Sequence, residues 1–211
     1  MKATITSLIF LLLSLTVSSQ TYQYLGVEDG LSNRRVYYIQ KDNVGYMWFL
    51  THVGIDQYNG KEIKHYKLRE GNRELDPLLN INWTFLDKTG TLLVTGKQGR
   101  IFRYDSGHDR FVQIYNMYNY WNKDYHAFVR YSYIDQEDNV WLCGKSAIHL
   151  FNIESGQKQQ ISNRLGNITC IEQINSEHFF IGTDKRIYLA KLENGNLKEL
   201  SCGKLGMMDM H

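Results

Sequence analysis

The sequence is poor in proline, in net charge and in helical patterning. Pro77 is its single proline, and no stretch has the 3.6-residue apolar periodicity of an amphipathic helix, which argues against an α-helical domain. Its 24 basic and 22 acidic residues leave a formal charge of +2, whereas a nucleic-acid-binding surface needs a clear excess of Lys and Arg on one face. We therefore expect no nucleic-acid partner.

Signatures of catalysis and metal binding are also missing. The sequence has no GxSxG, no HExxH and no glycine-rich phosphate loop. Its seven histidines show no paired ligand spacing, and Cys143, Cys170 and Cys202 form no CxxC pair. We expect no catalytic residue, no metal and no cofactor. Cys143 and Cys170 are interpreted as packed thiols, and the spacing leaves a disulfide between any two of the three cysteines open.

A secretory signal peptide is predicted at the N-terminus. Lys2 precedes an uninterrupted apolar run, Leu8–Leu13, and the small residues Ser18 and Ser19 follow it. This run is too short to span a bilayer as a permanent helix, and no second apolar segment of spanning length follows. We expect residues 1–19 to be cleaved and the mature chain to be exported.

What the sequence does contain is a repeat. Four similar segments begin at Val36, Ile81, Val129 and Ile168. Their large apolar positions, Trp48, Leu93, Trp141 and Phe180, are separated by 45, 48 and 39 residues, which is the period of a propeller blade, about 40–50 residues. Each copy contains four short runs with the period-two alternation of strands. The sequence therefore predicts an all-β fold, a β-propeller of about four four-stranded blades at residues 26–75, 76–120, 121–164 and 165–204.

Two positions of the repeat have structural interpretations. The bulky residue of each second strand is expected to fill the seam against the neighbouring blade, where its burial stabilises the fold by about 1.5–3 kcal/mol. An aspartate recurs in the turn before it, because a carboxylate can accept hydrogen bonds from downstream amides and fix a turn. The residues predicted to be structural are Trp48, Leu93, Trp141, Phe180, Asp42, Asp87 and Asp135.

The first repeat has a more specific pattern, approximately GLS-N-x-V-x-x-I-x-x-D-x-x-G-x-x-W-I-G-T-x-x-G-L-x-x-Y. The residues that meet it in order are Gly30, Leu31, Ser32, Asn33, Val36, Ile39, Asp42, Gly45, Trp48, Thr51, Gly54 and Tyr58. In this respect the chain resembles the two-component regulator propeller repeat family. The later copies depart from the pattern: Leu93 replaces the Trp in the second, and the fourth lacks the Asp.

The resemblance implies the N-terminal part of a periplasmic sensor. Members of the family are Bacteroidetes receptors in which a signal peptide, one or two seven-bladed propellers, an immunoglobulin-like domain, a membrane helix and a cytoplasmic histidine kinase follow one another. They commonly detect oligosaccharides derived from glycans, control gene expression and are thought to signal as dimers. For this chain the resemblance implies a periplasmic, non-enzymatic segment of an inner-membrane receptor. We expect four blades of an incomplete seven-bladed ring, with a closed four-bladed ring as the alternative.

Two groups of residues are candidates for ligand binding. The loops between second and third strands contain His52, Lys97, Lys145 and Lys185 at similar positions. A ring of such cations at the channel mouth would favour an acidic oligosaccharide, and ordinary surface lysines are the alternative. The connection between the second and third blades contains Tyr118, Tyr120, Trp121 and Tyr125, whose rings could stack on sugars or on a partner, or pack on the propeller itself.

Two rival functions stay open. An exported propeller enzyme resembling the streptogramin lyases would need histidines and carboxylates that converge at the channel, with His52 or His149 as candidates. A secreted scaffold that binds a protein partner would need neither a catalytic group nor a small-molecule site.

Overall fold

The computed structural model describes Tyr22, residues 24–120 and residues 128–204. Within these residues the chain forms four antiparallel sheets of four strands each, and the strands of every sheet follow one another in chain order. The first strands of consecutive sheets contact each other, so they lie nearest a common axis. These sheets are the blades of a propeller, and the predicted all-β fold class is confirmed. The predicted signal peptide lies outside the described residues.

The strands have the following bounds. Blade 1 contains β1 (Val36–Lys41), β2 (Met47–Thr51), β3 (Ile55–Tyr58) and β4 (Ile63–Tyr66). A hairpin of β5 (Arg69–Glu70) and β6 (Arg73–Glu74), and the helix α1 (Pro77–Asn80), lead to blade 2. Blade 2 contains β7 (Trp83–Leu86), β8 (Leu92–Thr95), β9 (Arg100–Asp105) and β10 (Arg110–Asn116). Blade 3 contains β11 (Tyr131–Ile134), β12 (Asn139–Cys143), β13 (Ala147–Asn152) and β14 (Lys158–Ser162). Blade 4 contains β15 (Ile168–Gln173), β16 (His178–Thr183), β17 (Arg186–Glu193) and β18 (Asn196–Lys204).

The connections between blades contain short helices that the sequence did not predict. Helix α1 begins after Asp76, whose carboxylate accepts a hydrogen bond from the backbone N–H of Leu78, and Pro77 occupies its first turn. A 3₁₀ turn, Met117–Asn119, follows β10. Both are single turns, so neither is long enough to show helical periodicity in the sequence. Tyr24 and Leu25, which precede blade 1, lie in no strand.

Three apolar cores fill the three seams between blades. The first joins Trp48, Leu50 and Ile55 of blade 1 to Leu92, Val94 and Phe102 of blade 2. The second joins Leu93 and Ile101 of blade 2 to Val140, Leu142 and Phe151 of blade 3. The third joins Trp141, Ile148 and Leu150 of blade 3 to Phe179, Ile181 and Tyr188 of blade 4. Because strand side chains alternate between faces, blades 2 and 3 each contribute alternate residues to two successive cores.

The repeated Trp and Asp form one unit. Trp48 and Trp141 are fully buried, and their indole N–H groups donate to Asp42 at 2.8 Å and to Asp135 at 2.9 Å. The other carboxylate oxygen of each Asp accepts the backbone N–H groups of its own turn. The aspartate therefore fixes the turn and satisfies the indole that the seam buries.

Blades 2 and 4 replace parts of this unit. In blade 2 the side chain of the buried Leu93 has no donor. Instead, Nη2 of Arg103 lies 2.7 Å from Oδ2 of Asp87, and the two groups form an ion pair without the angles of a hydrogen bond. Asp87 still accepts the backbone N–H groups of its turn. In blade 4, Asn175 takes the place of the Asp and accepts the N–H of His178 at 3.0 Å.

Two residues of blade 4 differ from their predicted environment. Phe180 was expected to fill a seam, but its side chain is 48% exposed, whereas the adjacent Phe179 is fully buried. Phe179 points toward blade 3, so Phe180 lies on the opposite face, which no described blade covers. Cys170 lies opposite Gly182 in the same sheet and is exposed, not packed, and all three cysteines are free.

Consecutive blades are also linked at one edge of the propeller, which we call the turn edge because it contains the Asp turns. Between blades 1 and 2, Nδ2 of Asn43 donates to the carbonyl of Thr89 at 2.5 Å. Between blades 2 and 3, the N–H of Lys88 donates to Asp138 at 3.0 Å, and between blades 3 and 4, the N–H of Gln136 donates to the side-chain oxygen of Gln173 at 2.6 Å. The loops between second and third strands lie at the opposite edge, which we call the loop edge, since successive strands are antiparallel.

Candidate functional site

Loops of the loop edge stand directly beside the starts of the inner strands. In every blade one backbone hydrogen bond joins the end of the second strand, or the loop after it, to the residue that leads into the first strand. These bonds are His52 N–H to Arg35 O at 3.2 Å, Asn82 N–H to Thr95 O at 2.8 Å, Arg130 N–H to Cys143 O at 2.8 Å and Asp184 N–H to Asn167 O at 3.2 Å. The four loops therefore lie beside the same ends of the four inner strands.

The predicted cations lie on these loops. Lys97, Lys145 and Lys185 are exposed, and none forms an ion pair with another described residue. Each lysine stands on the loop of a different blade, and no described contact joins them to one another or to His52. They provide positive charge at the loop edge, but the structure does not assemble them into one site.

His52 does line a cavity. An open cleft of about 590 Å³ at the loop edge of blade 1 is lined by His52 together with Asn33, Arg34 and Arg35. We call it the blade-1 cleft. Its lining residues include two arginines and, among the described residues, none with a carboxylate side chain. This composition suits a negatively charged or strongly hydrogen-bonding ligand.

The chain before β1 is held in place by a buried carboxylate. Asp56 on β3 is fully buried, and it accepts hydrogen bonds at 2.8 Å from both the N–H and the hydroxyl of Ser32. The Ser32 hydroxyl also lies 2.9 Å from Oγ1 of Thr51, and Nδ1 of His65 lies 2.7 Å from the other Asp56 oxygen. The Ser of the GLS-N pattern therefore anchors the segment that presents Asn33, Arg34 and Arg35 to the cleft.

The imidazole of His52 is positioned by the inner strand. Its Nδ1 lies 2.7 Å from the hydroxyl of Tyr37 on β1, and the two ring centroids are 6.2 Å apart. This contact fixes the ring, since one of its two nitrogens already has a hydrogen-bond partner.

Arg34 and Arg35 were missed in the sequence because they lie between Asn33 and Val36, where the repeat pattern specifies no residue type. Each has a guanidinium without a hydrogen bond or ion pair to another described residue. The available signal was the adjacent pair of arginines directly before the first strand, since that position faces the loop edge once the blade is folded.

The described aromatic residues of the long connection pack at an outer seam. Tyr118 packs against the core between blades 2 and 3. Tyr120 is 54% exposed, but its ring stacks on Tyr115 with centroids 5.6 Å apart, and Nζ of Lys158 lies 4.3 Å from its centroid. These contacts favour the interpretation that the rings pack on the propeller itself. Trp121 and Tyr125 lie outside the described residues.

No catalytic arrangement accompanies the cleft in the described part of the chain. His149 is buried on β13, and burial lowers its pKa to about 4. No group of three or more His, Cys, Asp or Glu among the described residues could hold a metal ion. The described residues also include no helix long and apolar enough to cross a membrane.

Comparisons with known proteins identify the fold. The extracellular domain of BT3049 of B. thetaiotaomicron, assigned as a hybrid two-component system, matches with a TM-score of 0.64 and 18% identity over 85% of this chain and 26% of that one. The equivalent domain of BT4673 matches with a TM-score of 0.58 and 17% identity over 87% of this chain and 26% of that one. PorZ, a surface component of the type-IX secretion system of Porphyromonas gingivalis, matches with a TM-score of 0.61 and 13% identity over 88% of this chain and 25% of that one.

These matches have a limited reach. At such identities the likeness shows the fold alone, and the chain spans about a quarter of the length of each of these structures. No protein-family model matches the sequence. No curated protein matches it either.

Proposed function

We propose that this chain is the exported ligand-sensing propeller of a hybrid two-component receptor, and that it recognises an oligosaccharide derived from a glycan. In this proposal the chain is not an enzyme; it lies in the periplasm, and its receptor is a dimer in the inner membrane with a cytoplasmic histidine kinase. The observation that carries the proposal is the blade-1 cleft, a cationic site at the loop edge of a fold shared with extracellular domains of two-component systems.

The first test is genetic and uses the organism that encodes the chain. The codons for residues 24–204 are deleted in frame, and transcripts are sequenced during growth on single purified polysaccharides. We expect one glycan to lose its induction of a set of transport and degradation genes. A double variant, Arg35→Ala with His52→Ala, should lose the same induction, whereas Lys61→Ala at the turn edge should keep it. Unchanged induction on every glycan after the deletion would contradict the proposal.

The second test concerns the enzyme alternative. The purified chain is incubated with the same polysaccharides and the products are separated by chromatography. We expect no new products, because His149 is buried and none of the described residues that line the cleft has a carboxylate that could act as an acid or base. Shortened or unsaturated oligosaccharides that disappear in the His52→Ala variant would support a lyase instead.

A protein-binding scaffold is the second candidate function. The likeness to PorZ, a surface component of a secretion system, favours it, since the TM-score is close to that of the BT3049 domain. If the chain is a scaffold, deletion of residues 24–204 should leave glycan-induced transcription unchanged. One defined protein should then co-purify with the wild-type chain, and substitutions of exposed residues at the binding surface should abolish this co-purification.

A further inference from the structure

The blade-1 cleft differs in charge from two other cavities of the described chain. A cavity of about 660 Å³ at the outer rim of blades 1 and 2 has Lys64 and Arg110 in its lining together with Asp109 and Glu70. A cavity of about 590 Å³ at the outer rim of blades 3 and 4 likewise mixes cations with carboxylates. In these two cavities the protein supplies its own counter-charges, whereas the guanidinium groups of the blade-1 cleft have none among the residues that line it.

We propose that Arg34, Arg35 and His52, with the His52 ring held by Tyr37, form an anion subsite that takes the carboxylate or sulfate group of an acidic oligosaccharide. This inference rests on the proposed function and names the chemical class of its ligand. Guanidinium groups bind planar carboxylates and sulfate oxygens through paired N–H donors, so they recognise these groups by geometry as well as by charge.

The backbone of the subsite is organised before a ligand arrives. The N–H of Arg35 donates to Oδ1 of Asn33 at 2.8 Å, and its carbonyl accepts the N–H of His52. The hydroxyl of Tyr37 is hydrogen-bonded to the imidazole of His52, and Ser32, the residue before Asn33, donates its N–H to the buried Asp56. A site that is ordered in advance loses less conformational entropy on binding and so binds more tightly for the same contacts.

Size and surroundings agree with an oligosaccharide. A volume of about 590 Å³ falls in the range of small-molecule sites, about 300–1,000 Å³. The exposed lysines of the other three blades lie at the same edge of the propeller and would raise the local concentration of an acidic chain by electrostatic attraction.

The experiment measures binding to the purified chain by calorimetry. Three probes of similar length are used: oligogalacturonate, which has carboxylates only; carrageenan-derived oligosaccharide, which has sulfates only; and neutral maltohexaose. We expect one of the two acidic probes to bind and maltohexaose not to bind. Arg34→Gln and Arg35→Gln should each weaken that binding about tenfold or more, because each removes charge-assisted hydrogen bonds. The affinity should also fall as the salt concentration rises.

Arg110→Gln at the outer rim is the matched control, and it should leave the affinity within about twofold. Because Arg34 and Arg35 are exposed, their variants should keep the wild-type circular dichroism spectrum. Acidic binding that both arginine variants retain would overturn the subsite, and so would binding of maltohexaose alone or of no probe. In those cases, glycan-induced transcription that depends on residues 24–204 would leave the sensor function standing, whereas induction that is unchanged after their deletion would overturn both proposals.

Discussion

The Asp–Trp unit of blade 3 allows a quantitative prediction about stability. Oδ2 of Asp135 accepts the buried indole N–H of Trp141, and Oδ1 accepts the N–H groups of Glu137 at 3.0 Å and Asn139 at 2.8 Å. In Asp135→Asn the charge is lost, and the new NH₂ group competes with the acceptor that these donors need. Hydrogen bonds to a charged group contribute about 1.5–3 kcal/mol each, and a buried donor left unpaired costs about 1–3 kcal/mol. We expect the free energy of unfolding to fall by about 2–4 kcal/mol.

A double-mutant cycle isolates the indole contribution. Trp141→Phe keeps an aromatic ring in the seam but removes the indole N–H. In that background Asp135→Asn leaves no buried indole donor unpaired, so it should destabilise the chain less. We expect a coupling free energy of about 1–3 kcal/mol between the two sites. The measurement is urea unfolding of the purified chain at pH 7, followed by far-UV circular dichroism so that the loss of Trp141 does not alter the signal.

Blade 2 supplies the control cycle. Asp87 accepts the N–H groups of its own turn as Asp135 does, but its neighbour Leu93 offers no donor. The cycle of Asp87→Asn with Leu93→Met should therefore show coupling below about 0.5 kcal/mol. Equal coupling in the two cycles, or none in blade 3, would refute the argument that the aspartate is needed for the buried indole.

Three further predictions concern other sites. Gly96→Ala should lower the free energy of unfolding by about 1–3 kcal/mol, because a Cβ there would lie 2.3 Å from a backbone atom of α1. Gly107→Ala should be nearly neutral in the same urea assay, because a Cβ there would meet only a side-chain oxygen of Asp105, at the ordinary contact distance of 3.4 Å. Burial raises the pKa of the Cys143 thiol, so maleimide at pH 8 should label the two exposed cysteines but not Cys143. Mass spectrometry would count the labels, and three labels on the folded chain would contradict the burial of Cys143. Burial lowers the pKa of His149 from 6.5 to about 4. As the pH falls, the unfolded chain therefore takes up this proton before the folded chain does, and the free energy of unfolding should drop between pH 6.5 and 4. The drop should be smaller in His149→Leu, and an identical pH slope in the two proteins would contradict this assignment.

The sequence was most informative where the same residue types have the same role in blades 1 and 3. Trp48 and Trp141 combine a large apolar surface with one N–H, and Asp42 and Asp135 stand six residues before them, so period and chemistry both pointed to a seam and a turn. The ion pair between Arg103 and Asp87 in blade 2 could not be predicted, because the two residues lie on different parts of the chain and only the folded sheet brings them together.

Other features depended on information that a repeat pattern does not contain. Phe180 matches the other bulky positions in the alignment, but its burial depends on what covers that face of blade 4 and not on its own type. The tyrosines after β10 were open to two interpretations, because stacking of Tyr120 on Tyr115 requires the path of the connection. Arg34 and Arg35 could be identified as candidate ligand-binding residues only from the fold, which places them beside His52 in one cleft.

The most direct test of the account is hydrogen–deuterium exchange of the purified chain with and without the glycan that controls transcription. We expect slower exchange at the loop edge of blade 1, in residues 33–37 and 51–55, and unchanged exchange in the Asp turns at the opposite edge. Protection confined to the turn edge or to the outer rim, or no protection at a saturating glycan concentration, would contradict a ligand site at the loop edge of this propeller.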